Sequence, residues 1–130
     1  MRTKQQGFSL LEGLLATLIF SVGILALVSL QAAAVKEVGD AKYRVDASYL
    51  ANEIIAQMWA DDHTTATLQS RYNTGGPQYQ AWAAEVQAAL PNGINPTISI
   101  DGNNIATVTV LWQPPGAATQ HSFAAMAQIR

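Results

Sequence analysis

The stretch Gly7-Phe8-Ser9-Leu10-Leu11-Glu12, with the run that follows it, decides the reading of this chain. From Gly13 to Val35 no residue carries a charge, and Leu14, Leu15, Leu18, Ile19, Phe20, Val22, Ile24, Leu25, Leu27, Val28 and Leu30 lie within it. A bilayer core of about 30 Å needs roughly 20 apolar residues of helix, so the run is long enough to span. Ahead of it stand Arg2 and Lys4, and positive flanks stay cytoplasmic, which predicts an inward N-terminus and an outward C-terminal part. The run exceeds the roughly 7–15 apolar residues of an ordinary secretory signal. Ala32-Ala33-Ala34 is the one place where a small-residue cleavage site of that kind is imitated.

Composition sets the frame around this segment. The chain has 130 residues, of which 49% are hydrophobic and 12% charged, and its net charge is −2. The charged share is about half that of a typical soluble domain. So much apolar material excludes a disordered chain, and the absence of a basic excess argues against nucleic-acid binding. With no Cys there is no disulfide, thiolate metal site or cysteine nucleophile. After His63 the charges are only Arg71, Glu85, Asp101 and Arg130, with Gln, Thr and Asn supplying the polarity.

The junction resembles the processing signal of type IV prepilins and type II secretion pseudopilins: Gly7 before Phe8, a carboxylate at Glu12, a short basic leader and a long apolar run. The resemblance implies cleavage between Gly7 and Phe8 by a prepilin peptidase, and methylation of the new Phe8 amine. The leader would be residues 1–7, the transmembrane and fibre-core helix 8–35, and the periplasmic globular part 36–130. It also implies that Glu12 neutralises the Phe8 amine of a neighbouring subunit as the fibre grows. The residue itself invites a role, because a carboxylate in a membrane helix costs about 2.5–3.5 kcal/mol at mid-bilayer, and less near the surface. An acid in the first turn would also suit the positive end of the helix dipole. Losing Arg2 and Lys4 with the leader would make the mature chain two charges more negative.

No Pro occurs before Pro77, so nothing forces an early helix break. Major pilins often carry a Pro near the outer end of the membrane segment; Ser29 stands there instead, which fits a minor subunit or a pseudopilin better than a major pilin. Beyond Val35, two rows recur at helical steps. One is Val38, Ala41, Val45, Tyr49, Ile55 and Trp59, with Asn52 filling the gap; the other is Tyr43, Ala47, Leu50, Ile54 and Met58. Together they predict one broad apolar face, with Tyr43, Tyr49 and Trp59 as core residues, and a helix ending near Ala60. From Phe8 to Ala60 such a helix runs roughly 80 Å.

His63 to Gly76 reads as a loop, dense in turn residues. Tyr79 to Leu90 has helical spacing and stops at Pro91-Asn92-Gly93. Thr97–Ile100 and Ile105–Trp112 alternate around Asp101-Gly102-Asn103-Asn104, a hairpin signal. His121 to Ile129 predicts a third strand, with Phe123, Ala125, Ala127 and Ile129 on one side. The expected fold is α+β and pilin-like: one long N-terminal helix, a short helix, and an antiparallel sheet of three or four strands. Tyr49 to Met58, and the run Val108-Thr109-Val110-Leu111-Trp112, are similar to segments of PilV-type minor pilins. The C-terminal disulfide loop of many pilins is absent, so the sheet edge needs other protection, either Pro114 and Pro115 or a neighbouring subunit.

Other chemistry is thinly represented. Asp61-Asp62-His63 has metal-ligand residue types, but three adjacent residues rarely converge on one ion. His121 and Ser122 point to opposite faces of a strand and lack an orienting acid. Gly75-Gly76 and Gly102 lack a phosphate-loop pattern. No cofactor and no metal are expected, and catalysis is not expected either. The resemblance implies a minor type IV pilin, structural and assembly-initiating. Its implied partners are the prepilin peptidase, other minor and major pilins and the inner-membrane assembly platform. The implied location is the inner membrane, single-pass, and then the pilus. A minor pseudopilin of a type II secretion system shares every one of these signals. A membrane-anchored periplasmic enzyme or binding domain is the alternative from another class.

Overall fold

The computed structural model describes residues 6–130. Arg2 and Lys4, expected in a basic leader, lie outside the described residues. Helix α1 spans Gln6–Ala60, α2 Thr65–Tyr72 and α3 Pro77–Ala89; strands β1 (Thr97–Ile100), β2 (Ile105–Trp112) and β3 (His121–Gln128) follow. The chain divides into two compact units, Met1–Gly39 and Asp40–Arg130.

The first unit is α1 up to Gly39. Its apolar side chains point in every direction around the helix and are exposed, from Phe8 at 74% to Ile24 at 46%. A helix apolar on all sides buries itself in a protein core or a membrane. Three of its hydroxyls are silenced locally: Thr17 Oγ1 donates to Gly13 O (2.8 Å), Ser21 Oγ to Thr17 O (2.7 Å) and Ser29 Oγ to Leu25 O (3.0 Å). Each of these three hydroxyls therefore finds its partner within the helix, as an apolar medium requires.

The second unit holds one core. The last part of α1 contributes Ala47, Leu50, Ala51, Ile54, Ile55 and Met58, with Tyr43 packed at the margin. The predicted second row is thus the buried one. The first row is not core: Val45 is 67% exposed, Tyr49 68% and Trp59 46%, and only Ile55 of that row is covered. One helix can turn only one stripe onto a sheet, and the small Ala47 and Ala51 allow closer approach than Val45 and Tyr49 would. Trp82 of α3 fixes the choice by donating Nε1–H to Leu50 O at 2.9 Å.

His63 to Gly76 is not a plain loop. It contains α2, held by Leu68 and Tyr72, which are buried one turn apart. Two anchors in eight residues are too few to stand out from the surrounding Thr, Ser and Gly. Helix α3 begins at Pro77, a residue suited to the first helical position, two residues before the expected Tyr79. Its stop is as expected, with Asn92 (φ 71°) and Gly93 (φ 51°) in the left-handed region. Between α2 and α3 the chain passes so close to itself that a Cβ on Gly76 would lie 2.3 Å from Arg71 O.

The sheet has three strands in the order β1-β2-β3, all antiparallel. Ile98 pairs with Val108, and Val108 with Ala125. Ala106, Val108, Val110 and Trp112 face the core, each 0% exposed. The hairpin turn places its left-handed residue at Asn104 (φ 57°) rather than at Gly102. Asp101 organises it, its Oδ1 accepting the N–H of Asn103 and of Ile105, both at 2.8 Å. Asn104 Nδ2 then donates to His63 O at 2.8 Å, tying the turn to the end of α1.

Candidate functional site

The site residues predicted from sequence, Gly7, Phe8 and Glu12, sit on the first turns of α1. The helix already begins at Gln6, so the peptide between Gly7 and Phe8 lies in its first turn. First-turn N–H groups have no partner within the helix, so opening this end for a peptidase costs little. Because the helix continues through the junction, Glu12 falls beyond the first turn, which contains no acid. The expected first-turn dipole contribution therefore does not apply to the uncut chain. After a cut at Phe8, the same carboxylate would sit one turn, roughly 6 Å, from the new terminus.

Phe8 and Glu12 share a face at a spacing of four residues. Both are exposed, and Glu12 forms no ion pair with any described residue. Leu11, Leu14, Leu15 and Leu18 form a shallow apolar groove beside it. A lone carboxylate next to an apolar helix surface is suited to meeting a cation brought by another chain. By length and composition α1 can cross a membrane.

The other residues singled out in the sequence have structural partners. Asp61 receives both hydrogen bonds of its Arg71 pair from one guanidinium nitrogen, Nη1, at 2.7 and 2.8 Å, and the Tyr72 hydroxyl donates to it at 3.0 Å. The Arg71 hydrogen bond, followed by the Asp62 N–H and Tyr72, holds the Asp61 carboxyl below its ordinary 3.8. Burial, and then the neighbouring Asp61 carboxylate, push Tyr72 up to about 12. Asp62 accepts the Thr64 N–H at 2.9 Å. The His63 ring contacts Trp59 O at 3.0 Å and Trp59 edge-on. The three side chains thus diverge, and among the described residues no group of three His, Asp or Glu converges on one point. This cluster closes the α1–α2 corner. His121 packs against Trp112 at 5.8 Å between ring centroids, while Ser122 is exposed on the other face of β3.

The runs from residue 49 to 58 and from residue 108 to 112 supply much of the core. Leu50, Ala51, Ile54, Ile55 and Met58, and Val108, Val110 and Trp112, are all buried. Sequence reasoning missed a structural site on β1, whose outer edge is closed by Gln69, Asn73 and Thr74. The dense turn signal there marks a chain reversal, and its side chains also act as strand partners.

Residues 2–28 match the model of the prokaryotic N-terminal methylation motif, the signal of type IV pilins and pseudopilins. The match covers the junction and most of the apolar run, and the long helix packed on a small three-stranded sheet is a pilin-like α+β arrangement. No curated protein and no solved structure matches the chain.

Proposed function

We propose that the chain is a minor type IV pilin of PilV-like kind, cut after Gly7 by a prepilin peptidase and methylated on Phe8. The observation that carries this reading is the methylation motif over residues 2–28, lying on the apolar first half of an unbroken helix, with Glu12 as the lone carboxylate among those residues. The helix anchors the subunit in the inner membrane, and residues 36–130 stand in the periplasm before incorporation. In the fibre core, Glu12 meets the methylated amine of an adjacent pilin and sets the axial position of the incoming subunit. A charge pair in an apolar fibre core is strongly coupled, and losing one partner costs about 3–5 kcal/mol. Its partners are the peptidase, other minor and major pilins and the assembly platform; its role is structural rather than catalytic.

N-terminal mass spectrometry of the protein from its native membrane tests the reading. A chain starting at methylated Phe8 is expected, and a chain retaining Met1 refutes it. Glu12→Ala should be processed and inserted normally yet be largely missing from sheared fibres; normal incorporation would remove Glu12 from the mechanism. In a deletion strain, lost twitching with intact export supports the pilus, while the reverse outcome identifies a type II secretion pseudopilin.

A further inference from the structure

We draw no further inference here: the strongest candidate, the exposed apolar surface row of α1 at Val45, Tyr49 and Trp59, opposite the row buried in the core, is an unpartnered helix face, and nothing in the structure shows what covers it.

Discussion

Replacing Thr74 with Val changes one oxygen to a methyl and leaves the shape of the side chain almost intact. The hydroxyl serves Ile98 twice, accepting its N–H and donating to its C=O, each at 3.1 Å. The carbonyl keeps the Thr74 N–H as a partner, so only the Ile98 N–H is orphaned. An orphaned buried donor costs about 1–3 kcal/mol. Ile98 is 3% exposed, but Thr74 lies at the surface where water has some access, so the lower part of that range applies, about 1–2 kcal/mol. In a domain of this size each kcal/mol moves the melting midpoint by about 4–8 °C. Urea unfolding of the full chain in detergent, followed by fluorescence of the buried Trp82 and Trp112, measures the loss. Hydrogen exchange locates it, since the Ile98 amide should exchange faster while Val108 keeps its protection. Thr74→Ser retains the oxygen and should restore most of the stability. An unchanged midpoint together with unchanged Ile98 exchange would show that the β1 edge is not held by this side chain.

Three further outcomes are expected. The depressed Asp61 carboxyl contributes stability that is present above its ordinary 3.8 and is lost as pH falls through its lower folded value. Asp61→Asn should therefore be less stable near neutrality and show a flatter midpoint between about pH 5 and pH 2. Trp82→Phe removes the buried bond to Leu50 O without orphaning that carbonyl, which keeps its helical partner; it should cost about 1–2 kcal/mol by urea titration. Tyr49→Ser, on the exposed row of α1, should stay within about 0.5 kcal/mol of the parent chain, whereas Ile54→Ala on the buried row should lose about 2–5 kcal/mol.

What could be read from sequence was what depends on local pattern. The charge-free run after Glu12, the stop at Pro91-Asn92-Gly93 and the alternation of Ile105 to Trp112 each reflect a single element's own periodicity. Choices between elements stayed hidden. Val45, Tyr49 and Trp59 are as apolar as Leu50, Ile54 and Met58, and only the position of Trp82 and the small Ala47 and Ala51 decide which row is covered. Helix α2 was invisible because Leu68 and Tyr72 act as anchors only once a sheet edge lies beside them. At the candidate site the residue types of Gly7, Phe8 and Glu12 were legible. The continuation of the helix back to Gln6, which moves Glu12 out of the first turn, was not.

Gly76 has a practical consequence. A side chain there would meet main-chain atoms of Arg71 and Ser70 at 2.3–2.8 Å, and main chain cannot swing aside as the tip of a Lys can. Gly76→Ala is thus a single-atom veto on the α2–α3 corner, and with it on the packed unit from Asp40 onward. Residues 2–28 are untouched by the change. Such a chain would keep its address label while losing its cargo, so that sorting and maturation could be scored without any contribution from the folded part.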